Sequence, residues 1–241
     1  MDLERYIECI NDAFIQNGYG DLMDKDSAEK FYKLSNLLIQ TNKITNLTAI
    51  TDETEIIYKH FLDSATVCRV IPENAELIDV GCGAGFPSLP IAILRNDVKI
   101  TSLDSTGKKI DFVNKAASEL GLENVRGVCS RAESYVSDHR ETFDVCVGRA
   151  VSRLNVLSEI CIPFVKIGGS FVAMKASKGD EELQEAFNGI KKLGCALSKS
   201  FKVEIKTTTD NLERVILCFD KQSKTPSAYP RNYSQITKKP L

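Results

Sequence analysis

The sequence predicts an α/β fold with one seven-stranded, mainly parallel sheet and helices on both of its faces. From residue 76 onward, short β-type runs alternate with helical runs, the order that builds parallel strands joined by crossover helices. The last two β-type runs are separated only by a turn around Asp210 and Asn211, so they should form an antiparallel hairpin at the sheet edge. The predicted strands cover residues 76–80, 98–103, 124–129, 143–147, 169–174, about 196–206 and about 212–219. The predicted helices cover about 86–95, 107–120, 151–164 and 179–193.

The first 70 residues are helical in pattern and form an N-terminal extension to the sheet. Apolar residues recur there at the spacing of an amphipathic helix. They are Leu3, Ile7, Ile10, Phe14 and Ile15 in the first helix and Phe31, Leu34, Leu37 and Leu38 in the second. Asp52 and Glu55 have capping-box spacing ahead of a third helix. The polar stretch 40–48 before it is either a loop held by Asx and Ser/Thr turns or a binding segment.

The chain divides into three parts: the extension 1–70, the sheet domain 71–220 and a basic tail 221–241. A net charge of −2 and a hydrophobic share of 43% are typical of a globular protein and indicate no particular partner. The tail holds five Lys or Arg and no acid, so it either contacts phosphates or is simply solvated. With neither a secretory signal nor a membrane-spanning apolar run in view, we expect a cytoplasmic protein without membrane association.

The eight cysteines are scattered, without a C-x-x-C pair, and most fall in apolar runs. This pattern predicts buried free thiols in a reducing compartment. The two histidines, His60 and His139, are not accompanied by a spaced set of metal ligands, so we expect no metal site.

A glycine-rich turn follows the first predicted strand. It begins two residues after Asp79, with Gly81, Gly83 and Gly85 at alternate positions and Phe86 next. Glycines there permit a sharp turn and a close approach of a ligand to the backbone. The spacing G-x-G-x-G differs from the dinucleotide fingerprint G-x-G-x-x-G. With an acid two residues ahead, it suits a nucleoside cofactor with a cationic methionine end, S-adenosylmethionine, and makes Asp79, Gly81, Gly83, Gly85 and Phe86 candidate cofactor-binding residues. The alternative is a turn with only a structural role.

The next two strand ends also carry residues suited to a nucleoside. Asp104 ends the second predicted strand, where a carboxylate reaches the hydroxyls of a cofactor ribose. Ala132 and Glu133 follow the third strand, at the expected edge of an adenine ring. Glu133 has an alternative interpretation, as an acid that the helix dipole favours in a first turn. A Rossmann-like sheet closed by a hairpin, with these features, is the usual architecture of class I S-adenosylmethionine-dependent methyltransferases.

Arg149 ends the fourth strand, where an acceptor would enter. Its guanidinium could contact the acceptor base, a phosphate or the cofactor carboxylate, or it could form only an ion pair. The aromatic motif of exocyclic-amine methylation is missing here, and the cysteines nearby suit neither an activated thiol nor carbon methylation. A ring nitrogen such as guanine N7 already offers a lone pair and needs positioning rather than a general base.

From about residue 42 to the C-terminus, the chain resembles the bacterial rRNA small-subunit methyltransferase G family, also called glucose-inhibited division protein B. The matching segments are 42–48, 60–64, 79–87, 103–105, 131–133, 148–150 and 229–231. The resemblance implies N7 methylation of one guanine in 16S rRNA, by a protein that we expect to act as a monomer on that RNA or on the small ribosomal subunit. It implies cofactor contacts at Gly81, Phe86, Ala132, Glu133 and Arg149.

The same resemblance makes the N-terminal helices and the tail candidates for RNA contact. The candidate RNA-binding residues are Asn42, Lys43, Asn46, His60, Lys175 and Arg231. His60 has packing within its helix as an alternative role, and Lys175 could be an ordinary surface lysine. The chain departs from the family at Ser88 and Ala176, where glycine is usual, and over 232–237, which replaces a tail containing Gly and Pro.

Other functions remain compatible with the residues alone. A methyltransferase acting on another RNA, a protein or a small molecule would share the cofactor features. A non-catalytic adenosine-binding module or a nicotinamide-dependent dehydrogenase would share the sheet. A dehydrogenase, however, would normally devote a further hundred or so residues to a substrate domain.

Overall fold

The computed structural model describes residues 1–149 and 151–241 and contains one seven-stranded sheet. The strands are β1 (Glu76–Val80), β2 (Lys99–Asp104), β3 (Val125–Cys129), β4 (Phe143–Arg149), β5 (Val165–Ala176), β6 (Cys195–Lys206) and β7 (Asn211–Lys221). Their order in space is β3-β2-β1-β4-β5-β7-β6. The first five strands are parallel, and β7 pairs antiparallel with both β5 and β6. The predicted Rossmann-like sheet and its terminal hairpin are therefore confirmed.

The helices connect and cover these strands. They are α1 (Leu3–Gln16), α2 (Lys25–Thr45), α3 (Glu53–Ile56), α4 (Asp63–Ala65), α5 (Ser88–Leu94), α6 (Gly107–Glu119), α7 (Ala132–His139), α8 (Leu154–Cys161), α9 (Gly179–Lys192) and α10 (Tyr233–Lys238). A π-helical segment, Ile57–Leu62, joins α3 to α4. Short 3-10 helices cover Gly20–Leu22, Cys68–Val70 and Ile162–Phe164. The helix predicted at 151–164 is thus shorter, followed by a 3-10 turn.

The sheet separates two hydrophobic cores. Alternate strand residues enter opposite cores: in β4, Val145 and Val147 join the first and Cys146 joins the second. The first core packs α5 and α6 together with α1 and α2, and the second packs α8 and α9. Burial on both faces explains why the strands read as apolar runs rather than as alternating polar and apolar residues.

An aromatic series connects the N-terminal helices to the glycine turn. Phe31 of α2 lies with its ring centre 4.7 Å from that of Phe61, which in turn lies 6.1 Å from Phe86. Such ring pairs contribute beyond the area they bury. The N-terminal extension is therefore part of the packing that fixes the segment after the glycines.

The polar stretch 40–48 is a helix end followed by a tight loop. The helix α2 continues into this stretch as far as Thr45, and Asn46 caps it in the left-handed conformation. The side-chain oxygen of Asn42 accepts hydrogen bonds from the amides of Leu47 and Thr48, and its amide group donates to the Thr48 carbonyl. Residues 46–48 thus form a loop held by such turns, and a binding role of the stretch stays a prediction.

The C-terminal tail packs against the body of the protein. Ile236 of α10 is fully buried in the second core. Lys221 is buried beside Glu141, and Arg231 pairs with Glu159. Two of the five basic side chains of the tail therefore form internal ion pairs, whereas Lys224, Lys238 and Lys239 are exposed.

All eight cysteines are free, and six of them are buried. Among the residues described, no helix combines the length and apolar character that crossing a bilayer requires. Nor do the described side chains bring three His, Cys, Asp or Glu into positions that could hold a metal ion.

Candidate cofactor and acceptor site

The glycine turn after β1 depends on backbone conformations that other residues rarely adopt. Gly81, Gly83 and Gly85 have φ angles of 74°, 58° and 85°. A Cβ atom on Gly81 would lie 2.5 Å from a methyl carbon of Val151, whereas one on Gly83 would meet no atom within 4 Å. Gly81 therefore allows close packing of the turn, and Gly83 borders open space.

Asp79 stabilises this turn through a hydrogen bond to the helix that follows it. Its carboxylate is fully buried and accepts a hydrogen bond of 3.1 Å from the Ser88 amide at the start of α5. Burial raises the pKa of Asp79 to about 7, although the Ser88 contacts oppose the shift. This buried side chain positions the turn and the start of α5, and the predicted cofactor contact of Asp79 stays a prediction.

A crevice opens where β1, β2 and β3 end, and we call it the strand-end crevice. Four of the predicted cofactor residues line it: Gly81, Asp104, Ala132 and Glu133. Parallel strands present their carboxyl ends along one edge, which brings these distant positions together. Glu133 also lies in the first turn of α7, so its two interpretations are compatible.

Asp104 is held in a fixed orientation in this crevice. One carboxylate oxygen accepts from the Gly83 amide at 3.0 Å and the other from the Thr106 amide at 2.8 Å. Each oxygen keeps a further lone pair, so the carboxylate can still accept from two ribose hydroxyls. Leu103, Val151 and Ile160 add apolar walls. The crevice thus fits an adenosine group: a fixed acceptor for the sugar beside an apolar surface for the base.

A second cavity, the basic pocket, lies beyond the end of β4. It is lined by Lys59, His60, Asp63, Arg149, Lys175, Glu182 and Arg214, together with Ile50, Met174 and Ala176. Arg149 lines this pocket and Val151 lines the strand-end crevice, so the two cavities adjoin at the end of β4. Ala150, part of the matched 148–150 segment, lies outside the described residues.

Ion pairs organise the basic pocket. The buried carboxylate of Asp63 accepts from Nη1 of Arg149 at 2.9 Å and from Nε of Arg214 at 2.8 Å. Lys175 contacts Glu182 at 2.8 Å and donates to the Ser152 carbonyl at 2.7 Å. Because one acid serves two guanidinium groups, this part of the pocket keeps a net positive charge.

His60 is neutral and lies against Phe86. Its ring stacks on the Phe86 ring at 4.3 Å, and it contacts the Thr48 hydroxyl at 3.0 Å and Nη2 of Arg149 at 3.3 Å. Burial, with a smaller effect from the Arg149 charge, lowers the pKa of His60 to about 3. The side chain therefore accepts from Arg149 and does not act as a cation.

Of two further predicted cofactor contacts, Arg149 lines the basic pocket and Phe86 lies behind His60 of that pocket. Phe86 is buried, and the Arg149 guanidinium carbon lies 5.7 Å from the centre of its ring. Arg149 also donates to the Lys59 carbonyl at 3.1 Å. Three of its donor contacts are thus internal and include the ion pair, and the predicted contacts of Arg149 with the cofactor or the acceptor stay predictions.

The six candidate RNA-binding residues divide into two groups. Lys43 and Asn46 are exposed at the end of α2. The other side chains are held inside the protein by the contacts described above: Asn42, His60, Lys175 and Arg231. Of these four, His60 and Lys175 nevertheless line the basic pocket.

Among the pocket and crevice residues that were not assigned a role from the sequence are Arg214, Glu182 and Tyr233. Arg214 lies opposite Ala176 in the antiparallel pairing of β7 with β5, which brings the start of β7 to the carboxyl end of β5. The predicted hairpin would have indicated this position if its partner strand had been known. No local pattern marks Tyr233.

Cys82 in the glycine turn and Cys146 in β4, the two thiols considered for carbon methylation, are both buried. Burial raises the pKa of each thiol well above its usual value. Neither is therefore a thiolate nucleophile, in line with the expectation that carbon methylation is disfavoured.

Comparisons with known proteins match both the sequence and the fold. The family model for rRNA small subunit methyltransferase G matches residues 27–213. Two proteins named "Ribosomal RNA small subunit methyltransferase G" are similar along most of their length. The one from Clostridium perfringens is 44% identical, covering 90% of this chain and 92% of its own. The one from Staphylococcus epidermidis is 42% identical, covering 98% of both.

Solved structures with low sequence identity share the fold alone. The YcgJ protein from Bacillus subtilis has a TM-score of 0.53 at 15% identity, covering 68% of this chain and all of its own. The M. jannaschii protein TYW2, solved in complex with AdoMet, has a TM-score of 0.52 at 15% identity, covering 66% and 75%. Because the family model spans most of the chain and the relatives match nearly all of it, the chain belongs to the rRNA small subunit methyltransferase G family, with S-adenosylmethionine as its cofactor.

Proposed function

We propose that this protein transfers a methyl group from S-adenosylmethionine to N7 of a guanine in 16S ribosomal RNA. The names of its relatives, with identities above 40%, support small-subunit rRNA as the substrate. The adjoining cavities support a transfer reaction, because one suits the cofactor and the other can receive an acceptor base beside it.

The observation that carries the choice of N7 is that the titratable side chains of the basic pocket already have partners. Asp63 holds two arginines, Lys175 holds Glu182, and His60 accepts from Arg149. An exocyclic amine must lose a proton when it is methylated and so needs a base. Guanine N7 carries a lone pair and no proton, and therefore suits a pocket whose basic groups are engaged.

The protein's contribution in this proposal is positioning. Asp104 binds the ribose hydroxyls, Gly81 borders the cofactor at the turn, and Ala132 and Glu133 border the adenine. When bound, S-adenosylmethionine supplies an electrophilic methyl group on its sulfonium. Holding that group in line with the N7 lone pair lowers the entropic part of the barrier.

Arg214 is the best candidate to contact the acceptor nucleotide. Its Nε is held by Asp63 and its Nη1 donates to the Glu213 carbonyl, but Nη2 has no contact among the described residues. A guanidinium can donate to guanine O6 or to a phosphate. Arg149, with three donor contacts inside the protein, then orients Asp63 and so Arg214.

RNA approaches, in this proposal, over the rim of the basic pocket. The end of α2 presents Lys43 and Asn46, and the following loop reaches the pocket at Ile50. Exposed lysines at such a rim contact phosphates and give salt-dependent affinity. We propose that the monomer acts on 16S rRNA, free or within the small subunit.

The proposed reaction is tested by mapping 7-methylguanine in rRNA from cells with and without the gene. We expect one 16S position to lose its methyl group, and a plasmid with the wild-type gene to restore it. Asp104→Ala should fail to restore it, whereas Asp111→Ala, which changes an exposed acid on α6, should succeed. Identical maps with and without the gene would overturn the proposal.

A further inference from the structure

The C-terminal helix α10 forms one wall of the strand-end crevice. Tyr233, its first residue, lines the crevice together with Asp104, Ala132 and Ile160. The ring is partly buried and packs against the second core. An aromatic side chain from the tail therefore faces the same space as the carboxylate proposed to hold the ribose.

A buried ion pair fixes the segment that carries Tyr233. Glu159 of α8 is fully buried and accepts from the Arg231 side chain at 2.8 Å and 2.6 Å, and from the Arg231 amide at 3.0 Å. A carboxylate buried this deeply is retained only with such partners. The pair lies two residues before Tyr233.

The other end of the segment is anchored as well. Ile236 is fully buried, three residues after Tyr233. Leu241 packs so closely on Gly189 of α9 that a Cβ on that glycine would lie 2.7 Å from the Leu241 Cβ. Anchors on both sides mean that Tyr233 meets the crevice in a defined position, not as part of a loose tail.

We propose that Tyr233 forms part of the adenosine-binding surface and that the tail thereby sets the affinity for S-adenosylmethionine and its demethylated product. The inference rests on the proposed placement of the cofactor in the strand-end crevice. Adenine has an aromatic face, and the crevice already offers apolar contacts from Leu103 and Ile160. A phenol ring at its rim adds an aromatic contact and excludes water from the base.

Binding of S-adenosylhomocysteine to the full chain tests this proposal by calorimetry. Tyr233→Ala should weaken binding about three- to tenfold, the effect of one aromatic pair. Tyr233→Phe, which keeps the ring, should bind within about twofold of wild type if the ring face makes the contact. The matched control is Gln235→Ala, an exposed position on the same helix, which should leave affinity unchanged.

A fluorescence measurement gives a second, independent readout. The chain contains no tryptophan, so Tyr233→Trp introduces a single reporter at the crevice. Its emission should change when S-adenosylhomocysteine is added, with a midpoint that matches the calorimetric affinity of this variant. A reporter introduced by Gln235→Trp should not respond.

The outcomes separate this inference from the proposed function. If wild type binds S-adenosylhomocysteine while Tyr233→Ala binds equally well and the Tyr233→Trp emission is constant, the inference is overturned and the proposed function stands. If wild type does not bind S-adenosylhomocysteine, the proposed cofactor site itself is contradicted, and with it the proposed function. Should Tyr233→Ala unfold, shown by loss of its cooperative melting transition, the response of Tyr233→Trp decides alone.

Discussion

Nη2 of Arg149 lies 3.3 Å from Nδ1 of His60, and this contact determines how both side chains behave. A guanidinium has only donors, so Nδ1 accepts and the imidazole proton is on Nε2, facing the Thr48 hydroxyl at 3.0 Å. The neutral ring then stacks on Phe86. His60, for which both packing and an RNA contact were predicted, is thus a fixed acceptor that orients Arg149, and the RNA contact stays a prediction.

Replacing His60 should change how stability depends on pH. The pKa of His60 is lowered from 6.5 to about 3 in the folded protein, so the histidine contributes stability above pH 6.5 that is lost as pH falls toward 3. At pH 5 the loss is about 2 kcal/mol, at about 1.4 kcal/mol per pKa unit. His60→Gln does not titrate. Urea denaturation should show that wild type loses about 2 kcal/mol more than the variant between pH 7.5 and 5.

The matched control for this measurement is His139→Gln, which retains His60 and should therefore keep the wild-type pH dependence. Equal slopes for wild type and His60→Gln would mean that His60 is protonated in the folded protein at pH 5, against the acceptor role assigned to it.

Asp63→Ala should destabilise the protein by about 3 kcal/mol, the cost of breaking a buried ion pair by removing one partner. The change leaves the guanidinium groups of Arg149 and Arg214 without their shared acid. The control is Asp26→Ala, which removes an exposed pair with Lys30 and should cost less than about 1 kcal/mol. Equal free energies of unfolding for the two variants, measured in urea, would contradict the role of Asp63.

The parts of the site that could be predicted from the sequence are those set by the sheet. Local periodicity identified the strands, and parallel strands must bring their carboxyl ends to one edge. Gly81, Asp104 and Glu133 therefore meet as expected, although they belong to three separate strand ends. The terminal hairpin was equally visible, because the short connection between the last two strands, residues 207–210 in the structure, cannot contain a crossover helix.

The partners of polar side chains could not be predicted in the same way, since they depend on contacts between distant segments. Arg214 and Asp63 are 151 positions apart, and Arg231 and Glu159 are 72 apart. The sequence around an arginine does not show whether its side chain is solvated or forms an ion pair. For that reason Arg231 looked like an RNA contact, and the role of Tyr233 beside it was missed.

The alanine variants of Gly81 and Gly83 should differ although both glycines have positive φ angles. Each alanine incurs about 1–2 kcal/mol for the left-handed conformation. Gly81→Ala also places a Cβ 2.5 Å from Val151, whereas Gly83→Ala meets open space. Overpacking adds about 1–3 kcal/mol, so Gly81→Ala should be the less stable variant by about that amount in urea. Equal stabilities would mean that the turn is not packed against Val151.

The stability of the Asp79→Asn variant relative to wild type should increase as pH rises. Because the folded pKa of Asp79, about 7, lies above its unfolded value of 3.8, its stabilising effect is complete below pH 3.8 and is lost as pH rises through 7. From pH 5 to 8 wild type should lose about 3 kcal/mol relative to the asparagine variant, which does not titrate. Asp111→Asn, on the exposed face of α6, should show no such gain. Parallel pH profiles for wild type and Asp79→Asn would mean that Asp79 is ionised throughout.

Arg231→Gln distinguishes a structural tail from an RNA-binding one. If Arg231 serves Glu159, the variant leaves a buried carboxylate without its guanidinium and should lose about 3 kcal/mol of stability. Its affinity for S-adenosylhomocysteine should also fall, because the segment carrying Tyr233 loses an anchor. Lys239→Ala, an exposed base of the same tail, should change neither quantity but should reduce the salt dependence of RNA binding. If Arg231→Gln kept its stability and cofactor affinity but lost RNA affinity, the structural role of Arg231 would be wrong. Only a side chain that faces solvent can be replaced without disturbing the buried carboxylate of Glu159.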